Sequence, residues 1–376
     1  MAAMNKPLHV LHISATKSWG GGENHLINLC HELKDDPGVK NMILCPKGSI
    51  LHKRLQKMDV PYATAPLAYK IDLRYFLKIG RLCRKNNIDL IHIHDTTALS
   101  LTVMGDKFYN LPPFIFSKKT SFPIKDRPQT RFKYNYSKIR SILCVSEKTR
   151  EVTSRSIDDQ TKLKVIYHGT RFGKNKENNP LDLRKQFQLE PEVNIIGNIA
   201  NHTRIKNVEC FLEVADILVN QKMKKDFFFV QAGGFSKRTP ALKAFVKERN
   251  LEKHVAFLDF VPDASGLLPQ LDISVLTSEN EGIAQFLYES FYNEIPVIST
   301  NVGGIPEIIE NGHNGFLTER NDSSGITEHV ISLSEDSGLR DKFVSRSKKL
   351  LLEKFSTRRM AEQTLAEYKK VTNGKY

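Results

Sequence analysis

Long apolar runs are missing from this 376-residue sequence. No stretch approaches the ~18 residues that cross a bilayer, and the opening MAAMNKPLHVLHIS lacks the layout of a secretory signal. A cytoplasmic protein is expected. The five cysteines, Cys30, Cys45, Cys83, Cys144 and Cys210, contain no CxxC pair, which argues against a disulfide framework and a zinc site. No Asp-x-Asp motif offers a metal, and there is no low-complexity run. The dinucleotide fingerprint also fails: a GxGxxG register from Gly20 would put His25 at its last glycine. The next strand-like run, NMILCP, ends at Cys45 and Pro46 without an acid for a ribose. Acidic residues are themselves in deficit, 42 Asp and Glu against 56 Lys and Arg, a net charge of +14. That balance implies an acidic partner: nucleic acid, an anionic membrane or a phosphorylated ligand.

What is present is strand and helix in alternation, over a length that suggests two domains. Leu8 to Ser14 reads as a strand, Gly20 to Gly22 as a glycine loop and Glu23 to Leu33 as a helix. Helical patterns near Ile50 to Lys57 and Asp72 to Asn86 lead into DLIHIHD, FIFSKK, SILCVS and KLKVIYHG. The polar stretch TRFGKNKENN reads as a hinge, after which the pattern restarts with VNIIGNIA, DFFFVQAGG, HVAFLDFV and LDISVLT. The expected fold class is α/β, two Rossmann-like doubly wound domains facing across a cleft. Leu339 to Lys370 reads as helical with a break around Phe355 to Thr357, and the expected boundaries are 1–170, a linker at 171–190, 191–355, and a last helix at 356–376 packing back on the first domain.

Ser278 to Phe291, SENEGIAQFLYESF, holds two carboxylates where a strand passes into a helix. Glu281 precedes the helix and Glu289 lies about two turns into it, roughly 12 Å further along the axis. The two therefore suit separate parts of one elongated ligand. Gly282 permits a tight turn, leaving the amides of Ile283, Ala284 and Gln285 at a positive helix terminus for an anion such as a diphosphate. A helix cap at Glu281 and a solvent-facing Glu289 are the structural alternatives.

With these pieces in place the chain resembles a retaining glycosyltransferase of the large family four, with the two-domain GT-B fold. SENEGIAQFLYES resembles the family's E-x7-E element, and ISTNVGGIPEIIENGHNGFL is similar to the strand and glycine turn after it. IGNIANHTRIKN resembles the phosphate loop, VSEKTREV and VIYHGTRF the end of the first domain, and EKFSTRRMAEQTLAEYKKV the closing helix. The resemblance implies that Glu281 sits at the transferred sugar, Glu289 binds the nucleotide ribose, and Lys206 stabilises the diphosphate as it leaves. His94 matches a histidine near the reacting sugar, and its alternative role is structural. Gly21 and Gly22 would let backbone approach phosphates or acceptor. Asn198 stands where relatives usually carry Arg after the loop glycine and is counted with the donor-binding residues, and Arg204 is the candidate replacement cation. The resemblance further implies a hexosyltransferase that moves a hexose or N-acetylhexosamine from a nucleotide-sugar donor, UDP-sugar preferred, without a metal or cofactor.

The acceptor is expected on the first domain. There Lys118, Lys119, Lys125, Arg127, Arg131, Lys133, Lys138 and Arg140 cluster among Phe114, Phe116, Phe122, Phe132, Tyr134 and Tyr136. Arg74, Lys78, Arg81 and Lys85 share one helical face, with Leu73, Phe76 and Leu77 facing elsewhere. A solvated basic face is one reading. The other is peripheral contact with the anionic inner face of the cytoplasmic membrane, and a saccharide or lipid-linked acceptor of envelope polysaccharide assembly. A sugar-nucleotide epimerase of related fold and a basic nucleic-acid-binding protein remain as alternatives. No nucleic-acid-binding module is recognised in the sequence, so no such partner is expected.

Overall fold

The computed structural model describes residues 6–171, 181–261 and 264–373. The chain divides into two compact units: 1–169 together with 357–376, and 170–356.

Unit 1 is built on seven strands, β1 (Leu8–Ile13), β2 (Val39–Pro46), β3 (Tyr62–Ala65), β4 (Leu90–Ile93), β5 (Phe114–Lys118), β6 (Ile139–Cys144) and β7 (Leu163–Val165). All pair in parallel in the order β3-β2-β1-β4-β5-β6-β7. Its helices are α1 (Gly21–Glu32), α2 (Ile50–Leu55), α3 (Leu73–Lys85), α4 (Thr96–Tyr109), α5 (Pro128–Tyr134) and α6 (Glu147–Ser154). Unit 2 repeats the plan with β8 (Asn194–Ile199), β9 (Phe227–Ala232), β10 (Val255–Leu258), β11 (Ile273–Leu276), β12 (Val297–Thr300) and β13 (Phe316–Thr318), ordered β10-β9-β8-β11-β12-β13. With it come α7 (Leu183–Phe187), α8 (Val208–Asp216), α9 (Thr239–Glu248), α10 (Gln285–Tyr292), α11 (Ser323–Glu335) and α12 (Ser337–Lys354).

Helices on both faces explain why the central strands read as unbroken apolar runs: every residue of β4, β9 and β11 is buried. The strand order reverses at β1/β4 in unit 1 and at β8/β11 in unit 2. At such switch points the loops leave to opposite faces and open a crevice at the carboxyl ends of the strands. The five cysteines are all free and buried. Among the described residues no helix is long and apolar enough to cross a membrane.

Part of the stretch expected as linker, residues 172–180, lies outside the described residues. Within the remainder α7 is packed structure: Leu183 is fully buried and its backbone N–H donates to Gln270 Oε1 at 2.7 Å. The break expected near Phe355 is present. α12 stops at Lys354, Thr170 and Ser356 form a bridge, and α13 (Thr357–Asn373) then belongs to unit 1. Met360, Ala361, Leu365, Tyr368 and Val371 form its apolar stripe, at spacings of one, three and four, and share a core with Val10, Leu29, Leu90 and Ile115. Tyr368 is fully buried and its hydroxyl lies 2.5 Å from His92 Nδ1. Tyr368→Ala is expected to destabilise unit 1 by about 3–5 kcal/mol, read from its urea unfolding midpoint, whereas Tyr368→Phe keeps the ring and loses only the hydroxyl's bond.

Candidate functional site

In unit 2 three segments meet at the carboxyl ends of β8, β11 and β12. The segment after β8 makes a 3-10 turn over Arg204–Lys206. Thr277 Oγ1 donates to Asn207 O at 2.8 Å, and the Glu279 N–H donates to Ile205 O at 2.7 Å. Thr300 Oγ1 donates to Ser278 O at 2.6 Å, and the Gly304 N–H donates to Gly282 O at 3.0 Å. Gly303 makes the closest approach: its φ is +55°, and a Cβ there would lie 1.7 Å from the Glu281 carbonyl oxygen. Any side chain would be both strained and blocked.

On this frame Lys206 Nζ donates to Glu281 Oε1 as an ion pair. The same oxygen accepts from Ser278 Oγ at 2.7 Å. Two of the residues selected from the sequence are thus brought together from 75 positions apart. Both side chains are half-buried, so the pair is partly desolvated yet reachable, and a fixed cation there suits an oxyanion. Arg204 is exposed on the same turn.

The expected helix start differs from the observed one. Gly304 holds the carbonyls of Glu281 and Gly282, and Ala284 is extended (φ −82°, ψ 119°), so α10 begins at Gln285 and its first amides are those of Gln285 and Phe286. Ile283 and Ala284 are buried before it, and no side chain caps it. Most of α10 is buried; Gln285 and Glu289, four apart and therefore on one face, are half-buried. Asn198 departs further from expectation. It is fully buried, and its Nδ2 donates to Val275 O at 2.8 Å, extending the β8/β11 pairing with a side chain. Its amide is committed to the sheet. His202, outside the residues expected at the site, is buried with Nδ1 2.8 Å from Thr239 Oγ1.

His94, Gly21 and Gly22 belong to unit 1. The two glycines are the first residues of α1, and neither has a positive φ, so the turn does not require glycine for its dihedrals. His94 follows β4 and is buried with both ring nitrogens engaged, Nε2 3.0 Å from His12 Nδ1 and Nδ1 3.1 Å from Lys119 Nζ. His12 Nε2 lies 3.0 Å from Asn41 Oδ1, and Lys119 Nζ donates to Gly22 O at 2.9 Å. His92, the register partner of His12, lies 2.7 Å from Ser117 Oγ through Nε2. His25 and His168 face one another at 2.7 Å.

His12, His92 and His94 bring one nitrogen each within 4.8 Å of the others. They form the one group of metal-ligating composition found among the described residues. A metal would have to displace the His12–His94 bond and a hydroxyl partner of His92, beside the Lys119 ammonium. The alternation HIH in DLIHIHD, with His12 on the paired strand, is the signal that could have found the cluster. The basic segment expected as one surface is divided. Lys118 is buried, Lys119 is partly buried, Lys138 pairs with Asp106 at 2.8 Å, and Phe114, Phe116 and Tyr134 are core.

Burial pushes the histidines down: His12 to about 4, His168 to about 3, and His25, His92 and His94 well below the usual value. Burial also pushes Lys119 down to about 8, with Glu23 and Asp95 acting in the opposite direction.

Residues 181–350 match the family model described as Glycosyl transferases group 1, and residues 19–171 match Glycosyltransferase Family 4. The N-acetyl-alpha-D-glucosaminyl L-malate synthase of Bacillus anthracis is 22% identical over 78% of this chain and 77% of its own length. An Escherichia coli UDP-Gal:alpha-D-GlcNAc-diphosphoundecaprenol alpha-1,3-galactosyltransferase is 21% identical over 77% of this chain and 78% of its own. The Anabaena protein HepE, solved with UDP-glucose, superposes with a TM-score of 0.84 at 17% identity, covering 96% of this chain and all of that one.

The histidine cluster sets an acid limit. A histidine whose folded pKa is depressed binds its proton more readily when unfolded, so stability falls as pH drops below ~6.5 towards the folded values. Each such group contributes a slope approaching 1.4 kcal/mol per pH unit in that window. The unfolding midpoint of unit 1 is expected to fall steeply between pH 6.5 and 4, and urea melts of His168→Phe should show a shallower fall.

Proposed function

The chain belongs to the group 1 glycosyltransferases and has their two-domain GT-B fold, and from that we propose a retaining transfer of a hexosyl or N-acetylhexosaminyl group from a UDP-sugar. The acceptor is a saccharide or lipid-linked saccharide of cell-envelope glycan assembly. One observation carries the reading: the Lys206–Glu281 pair on interlocked loops at the β8/β11 switch point. Relatives whose names state a UDP-sugar donor, an undecaprenol-linked acceptor or capsular polysaccharide biosynthesis support the donor and acceptor classes.

Departure of UDP places negative charge on the diphosphate, and a cation fixed beforehand lowers that barrier without reorganising. Lys206 serves this role, Arg204 adds a second, exposed cation, and the uncapped start of α10 adds its dipole. Glu281 holds Lys206 in place and borders the sugar; Glu289 takes the ribose hydroxyls. Because Glu281 is engaged by Lys206 and Ser278, it acts as an orienting carboxylate rather than a nucleophile. The acceptor hydroxyl then attacks from the face that the diphosphate leaves, and a diphosphate oxygen takes its proton.

Membrane contact belongs to the same reading. Tyr69, Ile71 and Leu73 are 79%, 59% and 58% exposed, beside exposed Lys70 and Arg74. Leu73 is the first residue of α3, whose basic face starts at Arg74. Apolar tips among cations suit shallow insertion into an anionic headgroup layer. Flotation with phosphatidylglycerol vesicles at low salt should carry the protein upward, and Tyr69→Ser with Ile71→Ser should leave it at the bottom. Equal flotation of the two would remove this contact from the reading.

The donor is tested by thermal shift. UDP at a hundred times its dissociation constant should stabilise the protein by about 2.7 kcal/mol. Glu289→Ala should weaken UDP by about 1.5–3 kcal/mol, the value of a hydrogen bond to a charged group. Absence of any nucleotide shift at millimolar UDP would sink the assignment. Conversion of the donor sugar to its epimer without acceptor would replace transfer by epimerisation.

A further inference from the structure

Lys118 and Lys119 stand side by side at the carboxyl end of β5, and their partners set them apart. Lys118 is 4% exposed and spends all three ammonium donors within its own loop, on Thr120 O, Thr120 Oγ1 (2.9 Å) and Phe122 O (3.1 Å). Lys119 is less buried and has two protein partners among the described residues, Gly22 O and His94 Nδ1. An ammonium has three donors, so one remains for a ligand.

The groups behind Lys119 hold it without neutralising it. The ammonium can only donate, so His94 Nδ1 accepts and the ring proton is on Nε2. His94 Nε2–H then donates to His12 Nδ1, and His12 Nε2–H donates to Asn41 Oδ1. Every link runs in one direction, and both rings are neutral, as their burial requires. No carboxylate among the described residues makes an ion pair with Lys119. Asp95 spends its oxygens on the amides of Ala15, Thr97 and Ala98. A partly desolvated cation, held beside the β1/β4 switch point by Gly22 O and His94 and lacking a contact counter-ion, is matched by an incoming anion.

We propose that Lys119 is an anion-recognition residue of unit 1, binding a carboxylate or phosphate on the acceptor at the carboxyl end of the first sheet. Only the word acceptor rests on the glycosyltransferase reading; anion binding itself does not. His94 is then a positioning residue, which orients Lys119 through its Nδ1, with His12 and Asn41 fixing its tautomer.

The charged and titratable groups facing Lys119 are Glu23 and His25 on α1, His12 on β1, and His92, His94 and Asp95 at β4. His168 after β7 completes the set. The histidines are neutral throughout the range above pH 7, so loss of the Lys119 proton near pH 8 governs anion affinity there.

Isothermal titration of the full chain with glycerol 3-phosphate, glycerate and neutral glycerol at pH 7 and pH 9 tests this. At pH 7 at least one anion should bind and glycerol should not; which anion binds separates phosphate from carboxylate. Affinity should fall about tenfold from pH 7 to pH 9, the protonated fraction of a group with pKa near 8. Lys119→Met should lose anion binding at least tenfold while keeping the UDP thermal shift. Lys119→Arg should bind the anion with no fall between pH 7 and 9, because guanidinium stays charged. The proposal is overturned if wild type binds the anions no better than glycerol, if affinity is flat with pH in wild type, or if Lys119→Met binds as wild type does. Should Lys119→Met not fold, the wild-type and Lys119→Arg pH profiles decide. Loss of the UDP shift in wild type would count against the donor assignment alone.

Discussion

A parallel strand covered by helices on both faces has no side on which a polar side chain meets water. That constraint confines the chemistry of this protein to strand ends. In both units the central pair, β1/β4 and β8/β11, is where connections leave to opposite faces, and the functional side chains collect just beyond those four strands. Ser278, Glu281 and Lys206 follow β11 and β8; His94 and Asp95 follow β4. Two polar residues inside the central strands are paired: Asn198 with Val275 O, and His92 with Tyr368 and Ser117. An unpaired group at those places would cost about 1–3 kcal/mol.

The same constraint decides what could be read in advance. Strands β8, β9 and β11 were visible as apolar runs because both faces are buried, and the stop at Phe355 was visible as a gap in helical patterning. α4 and β3 escaped notice. α4 has its apolar residues spread around its circumference, and β3 is the four residues YATA at a sheet edge. At the site, Lys206 and Glu281 were selected singly, but nothing local states that they pair, since 75 residues separate them. Asn198 differs from the donor-binding place expected of it for a related reason. It follows the loop glycine in sequence, but position on a strand decides its direction, and it points into the sheet.

Histidine chemistry illustrates the difference between residue type and environment. The resemblance sets His94 near the reacting sugar, with a structural role as the alternative; packing gives it three other imidazoles, His12, His25 and His92, as neighbours and engages both its nitrogens. Burial holds the whole group neutral, and neutrality allows the rings to hand hydrogen bonds on in one direction. The charge at this end of unit 1 passes to Lys119, a residue that composition alone would count as one of many surface lysines.

The return of α13 to unit 1 has a consequence for synthesis. Tyr368 reaches His92 across 276 residues, and the helix that carries it is made after all of unit 2. Domains of a nascent chain ordinarily fold from the N-terminus, at roughly 5–20 residues per second of elongation. Here the core that α13 shares with α1 and the first sheet stays incomplete for on the order of tens of seconds while all of unit 2 is made. Unit 2, contiguous in sequence, can close first. Completion of unit 1 therefore comes after that of unit 2, although most of unit 1 precedes it in sequence.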